Sequence, residues 1–163
     1  SYGVDINLNL SELLEIIIKK HPEIKIDIRY LNPSIIIKDK KRYLKALSSP
    51  NINSLNICIQ SGSNTILSLM NRNYFIEDVI SFVKGIRELN KEIIIRTHII
   101  VGYPGEKYDD FLETLKILKY FDMVNTFIYS PPPGQKIGYI NKIKALIKKL
   151  IIDITNIYLI LIK

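Results

Sequence analysis

Apolar residues recur along this chain with two alternating periods, and the alternation predicts the fold. Residues 11–20, 39–48, 75–90 and 107–121 carry apolar side chains three and four positions apart, the spacing of helices with one buried face. Residues 24–30, 55–60, 92–101 and 124–129 are shorter apolar runs bounded by turn formers, the pattern of strands, and 92–101 is the longest of them. In the 75–90 helix, Ile76, Val79, Ile80, Val83 and Ile86 share a face and are expected in the core. In the 107–121 helix, Phe111, Leu115, Leu118 and Phe121 turn inward, while Asp109 and Asp110 near its start and Lys116 and Lys119 toward its end suit the helix dipole. A short helix over 64–70 precedes the 75–90 helix. Strands and helices alternate at intervals of roughly 30 residues, the rhythm of βαβ units, so an α/β fold with a parallel sheet is expected.

The last part of the chain breaks this rhythm. Residues 130–134, SPPPG, stop regular structure, because successive prolines lack backbone donors and fix φ. The division expected is therefore one α/β unit over 1–136 and a Lys/Ile-rich segment over 137–163, with helix the expected form of that segment. Lys148, Lys149 and Asp153 interrupt its apolar run before it reaches the roughly 20 residues a bilayer requires, so no membrane span is expected.

Composition narrows the class. A chain of 163 residues with 47% hydrophobic content can bury one core. Its single cysteine, Cys58, excludes an intrachain disulfide, and no secretory leader pattern opens the sequence, so an intracellular setting is expected. The net charge of +7 is spread along the chain, with one cluster at Lys136, Lys142, Lys144, Lys148 and Lys149. Such a cluster suits the phosphates of a nucleic acid, or it keeps an apolar segment soluble.

Two strand-to-helix turns carry the candidate chemistry, since ligands of parallel α/β sheets bind at the carboxyl ends of the strands. Gln60, Ser61, Gly62, Ser63 and Asn64 lead from one strand into a helix. Their oxygens and free backbone donors could meet a polar ligand, Gly62 could admit it closely, and Ser63 or Asn64 could cap the helix; a capped turn without a ligand explains the same residues. Gly102, Tyr103, Pro104, Gly105 and Glu106 follow the next strand. Glu106 could accept hydrogen bonds from a ribose or an amine, or simply open the next helix, where a carboxylate is favoured anyway.

Taken together and in order, these segments resemble the radical S-adenosylmethionine (SAM) methylthiotransferases. That family carries HIPVQSGS, a Met-x-Arg-x-Tyr element, TDIIVGFPGET, an E-x-D-F helix start and YSPRPGT. This chain has Gln60 with Ser61, Gly62 and Ser63; Met70, Arg72 and Tyr74; Thr97 with Ile99, Ile100, Val101 and Gly102; Pro104, Gly105 and Glu106; Asp110 and Phe111; and Tyr129, Ser130, Pro131, Pro133 and Gly134. Ser1, Tyr2, Gly3, Val4 and Asp5 resemble the family's YGxD turn, and the resemblance runs from residue 1 to about 136.

The resemblance implies an incomplete parallel (β/α) barrel of the radical SAM type, lacking its first strands. It implies two cofactors, S-adenosylmethionine and a four-iron four-sulfur cluster that splits it to a deoxyadenosyl radical. Carried over residue by residue, Gln60, Ser61 and Ser63 would contact SAM, and Gly102 and Glu106 would line its adenosine side. Arg29, Asn32 and Pro33 resemble the R-x-x-NP segment of archaeal and eukaryotic members that methylthiolate threonylcarbamoyladenosine beside the anticodon, which makes tRNA the implied partner.

The departures are specific. The family's cluster is held by CxxxCxxC, and this chain has Cys58 alone, expected as an inert core residue; no metal ligands are assigned, and the catalytic cysteines would lie outside these residues. His98 stands for the Asp of TDII and is expected as a satisfied core or loop histidine; Asn56 and Cys58 stand for the His and Pro before QSGS; Pro132 and Gln135 stand for Arg and Thr of YSPRPGT. Two readings remain. In one, the chain is the carboxyl-terminal part of a radical SAM tRNA methylthiotransferase core, inactive alone and partnered by a cysteine-bearing amino-terminal half. In the other, it is a non-catalytic, drifting remnant with weak SAM or RNA binding. A phosphate-handling barrel lyase would need a Lys or carboxylate pair at strand ends, and no convincing set occurs.

Overall fold

The computed structural model describes residues 8–134, 136 and 138–162. Its order is α1 (Leu10–Lys20), β1 (Ile26–Leu31), α2 (Pro33–Lys38), α3 (Lys40–Leu47), β2 (Ile52–Gln60), α4 (Asn64–Leu69), α5 (Ile76–Leu89), β3 (Ile94–Val101), α6 (Tyr108–Ile117), a 3₁₀ turn (Leu118–Tyr120), β4 (Met123–Ile128) and α7 (Tyr139–Leu161). The four strands form one sheet in the order β1-β2-β3-β4, and every pair is parallel. Four consecutive parallel strands with helical crossovers make an incomplete α/β barrel, as expected. The SYGVD turn and Gln135 lie outside the described residues.

Strand periodicity sorts side chains between the two faces of the sheet. Leu55, Ile57 and Ile59 of β2 and Ile95, Thr97, Ile99 and Val101 of β3 are buried under the helices. The intervening Asn56, Cys58, Gln60, Arg96 and His98 are only half-buried on the opposite, concave face. All five expected core residues of α5 are buried, and Phe82, also on that helix, joins them.

Local chemistry sets the helix starts. Asn9 and Glu12 form a reciprocal capping box at α1. Asn32 accepts from the Ser34 N–H at 3.1 Å with Pro33 in the first turn, so the Asn-Pro pair opens α2, a helix the apolar pattern left unassigned.

Two other differences from the sequence pattern have physical causes, in β2 and in the 107–121 helix. β2, at nine residues, is longer than β3, at eight, because Ile52 and Ser54 continue its buried pattern upstream of residue 55. The expected 107–121 helix tightens to a 3₁₀ turn after Ile117, which lets Leu118 and Phe121 both reach the core before Asp122 turns the chain into β4. Residues 139–161 form a 23-residue helix, α7, packed on β4. Its Asn156 side chain accepts from the Val124 N–H at 3.2 Å and donates to the Val124 carbonyl at 3.4 Å, so an amide meets the sheet edge as a neighbouring strand would.

Candidate functional site

The two informative turns sit at the ends of neighbouring parallel strands, β2 and β3, and each is clasped by a different helix. Gln60 closes β2 in the left-handed region, φ 68°, where the register with β3 also slips. A non-glycine residue there costs about 1–2 kcal/mol, and the surrounding network has to hold it.

That network runs through α6. The Gly62 N–H donates to Thr114 Oγ1 at 3.0 Å, and the Ser63 N–H donates to Ser61 Oγ at 3.1 Å. The Ser63 hydroxyl donates to Asp110 Oδ1 at 2.6 Å, while Asp110 Oδ2 accepts from the Lys107 N–H at 2.8 Å. A Cβ on Gly62 would lie 2.5 Å from the Thr114 Cα, so this glycine admits α6 rather than a ligand. Ser63 holds the N-cap position of α4, yet its hydroxyl is taken by Asp110 instead of the helix. Both serines are buried, Gln60 is left half-buried at the strand end, and the equally half-buried Asn64 is used by Glu77 and the Ile76 N–H.

The second turn is clasped by α7. Gly102 and Gly105 take φ of 75° and 89°, which a Cβ would oppose. Glu106 does not enter α6; its Oε2 turns back to accept from the Gly102 N–H at 2.8 Å and pairs with Lys148 Nζ of α7 at 2.7 Å. The Glu106 side chain is 2% exposed and that of Lys148 16%, so the pair is sheltered. A Cβ on Gly102 would meet the Ala145 Cβ at 2.5 Å, so α7 is seated directly on the turn.

The concave face holds a third group, which includes Cys58, expected in the core, and His98, expected in the core or a loop. Asn56 Nδ2 lies 3.0 Å from His98 Nε2, His98 Nδ1 lies 3.6 Å from Cys58 Sγ, and Cys58 Sγ lies 3.9 Å from Asn56 Oδ1. With the amide donating to Nε2, the ring proton sits on Nδ1 and points to sulfur, and the thiol proton points to the amide oxygen, closing a neutral ring of three. Burial pushes the Cys58 thiol up and the His98 imidazole down, and both shifts favour the neutral forms. Tyr30, itself at φ 58°, and Phe127 stand edge-on to His98. Cys58 is therefore a half-buried residue of the concave face rather than a core residue. The signal was present: the polar residues of β2 and β3 recur every second position.

Around this ring lies a polar pocket of about 200 Å³ lined in part by Asp27, Arg29, Asn56, Arg96 and Asn125. Hydrogen bonds from Ser54 and Asn53 hold the Asp27 carboxyl below its usual range, with smaller help from Arg96 and Arg29. The Arg96 Nε is buried and meets no hydrogen-bond partner among the described residues. Arg29 thus faces the pocket, while Asn32 and Pro33 serve α2.

No group of three or more His, Cys, Asp or Glu residues gathers among the described residues. A four-iron cluster does not fit this donor set, because one neutral thiol cannot supply three thiolates.

Comparison with known proteins bears on the family and the fold. Residues 2–118 match the sequence profile of the Radical SAM superfamily. The probable threonylcarbamoyladenosine tRNA methylthiotransferase of Pyrococcus abyssi is 35% identical over 136 residues, covering 82% of this chain and 32% of that protein. The threonylcarbamoyladenosine tRNA methylthiotransferase of Homo sapiens is 33% identical over 153 residues, covering 91% of this chain and 26% of that protein. The chain thus spans under a third of the length of these curated relatives. Among solved structures, coproporphyrinogen III oxidase (HemN) from Escherichia coli, a radical SAM enzyme, superposes with a TM-score of 0.59 at 19% identity, covering 90% of this chain and 36% of that chain. A likeness at that identity speaks for the fold alone.

Proposed function

The chain belongs to the radical SAM superfamily, and from that membership we propose that it forms the carboxyl-terminal part, residues 1–136, of a tRNA methylthiotransferase core acting on an adenosine beside the anticodon. One observation carries the reading: the QSGS and GYPGE turns stand side by side at the ends of β2 and β3, each fixed by its own helix. In this reading SAM lies across the two turns. Gln60 offers its amide to the cofactor, Ser61 and Ser63 shape the turn through Thr114 and Asp110, and Gly102 and Glu106 set the backbone on the adenosine side. Arg29 faces the substrate from the concave pocket, which suits the tRNA partner. The cluster is held by cysteines outside these 163 residues.

A second reading is favoured by one contact. Because Lys148 neutralises Glu106 and Ala145 fills the space beside Gly102, the second turn is closed from the α7 side. A non-catalytic remnant of the domain would keep these internal contacts and bind SAM or RNA weakly.

Joining the chain to a cysteine-bearing amino-terminal half of a methylthiotransferase separates the two. After anaerobic reconstitution, the joined protein is expected to hold a cluster and to yield methylthio-adenosine in digested tRNA by mass spectrometry, while the chain alone stays colourless. A joined protein with its cluster but without methylthio product leaves the remnant reading standing.

A further inference from the structure

The lysines of α7 and the turn before it frame a cleft distinct from the concave pocket. This cleft, of about 260 Å³, opens at the carboxyl ends of β3 and β4 and shares no lining residue with the concave pocket. On one side stand Gly102 and a tyrosine pair, Tyr103 and Tyr129, with ring centroids 4.9 Å apart and planes at 71°. On the other stand Lys136, Lys144 and Lys148 with Asn141.

The charge of the cleft is decided by how its one lining carboxylate is used. Glu106 is neutralised by Lys148. Among the described residues no carboxylate pairs with Lys136 or Lys144, so two positive charges face the space. Gly138, at the N-cap of α7, also lines the cleft and supplies no capping side chain, so the positive end of a 23-residue helix dipole adds to them. SAM is a poor match for these charges, since its sulfonium is positive and it carries no phosphate. A phosphate matches, and an adjoining base has the tyrosine pair to stack on.

We propose that this rim cleft holds a backbone phosphate of an RNA strand. The inference rests on the tRNA partner of the reading above and deepens it: α7 supplies an RNA contact at the rim, on the side of the cofactor turn that faces α7. Lys136 and Lys144 make the contact, Asn141 and the α7 N-terminus add donors, and Lys148 sets the charge by neutralising Glu106.

Fluorescence anisotropy with a labelled 17-nucleotide RNA hairpin, titrated with the full chain between 50 and 200 mM salt, tests this. The double variant Lys136→Gln/Lys144→Gln is expected to bind about tenfold more weakly and to flatten the salt slope by about 1–2. The control Lys19→Gln/Lys20→Gln on α1 is expected to bind as the parent does. All four lysines are exposed, so matching circular-dichroism melts show that the variants fold. Parent-like affinity in the Lys136/Lys144 variant overturns the cleft while leaving a tRNA partner intact. Displacement of the hairpin by ATP at the nucleotide's own low concentration, with loss in the same variant, overturns the RNA assignment in favour of a free nucleotide. RNA binding that follows these lysines in a joined protein without methylthio product separates failure of the catalytic reading from failure of this one.

Discussion

The turn after β2 and the turn after β3 occupy equivalent places at the ends of neighbouring strands but are held by different physics. The first is fastened to α6 by hydrogen bonds from the Gly62 N–H to Thr114 and from the Ser63 hydroxyl to Asp110, backed by the Ser63 N–H to Ser61 inside the turn and the Lys107 N–H to Asp110 at the α6 start, all within the α/β unit. The second is fastened by a backbone bond and one sheltered ion pair to α7, a helix that follows the proline-rich segment. The first turn depends on packing and hydrogen-bond satisfaction. The second depends on whether α7 stays seated. The concave face differs from both, because its Asn56, Cys58 and His98 satisfy one another in a neutral ring.

Removing the acceptor that fastens the first turn is expected to have the largest effect. Asp110→Ala leaves the Ser63 hydroxyl and the Lys107 N–H without their partner, and the two losses together are expected to cost about 2–4 kcal/mol. Urea unfolding with an unchanged slope and a lower midpoint checks this. A midpoint within error of the parent's would mean that the serine clasp contributes nothing to the fold.

The second turn is expected to respond less, and locally. Lys148→Met strands the Glu106 carboxylate with the Gly102 N–H alone, at an expected cost of about 1–2 kcal/mol, reduced from the fully buried case because Lys148 retains some exposure. Hydrogen exchange should quicken in α7 and the Gly102 turn while α5 and β2 stay protected. The double variant Glu106→Gln/Lys148→Met should recover much of the loss, since the uncompensated charge is gone. Uniform quickening across the sheet would contradict the separation of the two clasps.

The concave ring gives the smallest effect, with a definite sign. Burial holds the folded His98 pKa below its ordinary 6.5, so the unfolded chain binds the proton more readily. Stability is therefore complete above pH 6.5 and declines as pH falls below it, because a proton on Nε2 confronts the Asn56 amide donor. His98→Gln should flatten urea midpoints between pH 7 and 5. A parent whose midpoints are already flat over that range would remove the closed ring from the account.

The parts of this molecule governed by period were legible in its sequence. The core face of α5 and the parallel alternation of β2 and β3 follow from apolar spacing, and the motif order placed both turns at strand ends. What was hidden depended on contacts remote in sequence. Ser61 and Ser63 look like ligand groups until Thr114 and Asp110, about 50 residues away, are seen to use them. Glu106 looks free until α7 brings Lys148, 42 residues on, against it. Cys58 looks like core because it stands in an apolar strand, although its parity in β2 assigns it to the polar face. The breadth of apolar residues on α7 obscured its period, and α2, only six residues long, is too short to show a helical period, although the start of α3 at Asp39 was legible.

The central claim is that the turns after β2 and β3 still present a SAM site, with the half-buried Gln60 as its polar contact. Isothermal titration of SAM into the reconstituted joined protein, beside its Gln60→Ala and Lys116→Gln variants, tests it most directly. Loss of the amide should leave buried ligand atoms unpaired at about 1–3 kcal/mol, weakening binding by about 5-fold to 150-fold in Gln60→Ala, with Lys116→Gln at the parent value. Equal affinities for the parent and Gln60→Ala, or no measurable SAM binding in the cluster-bearing joined protein, would contradict the claim and leave the two turns as internal clasps.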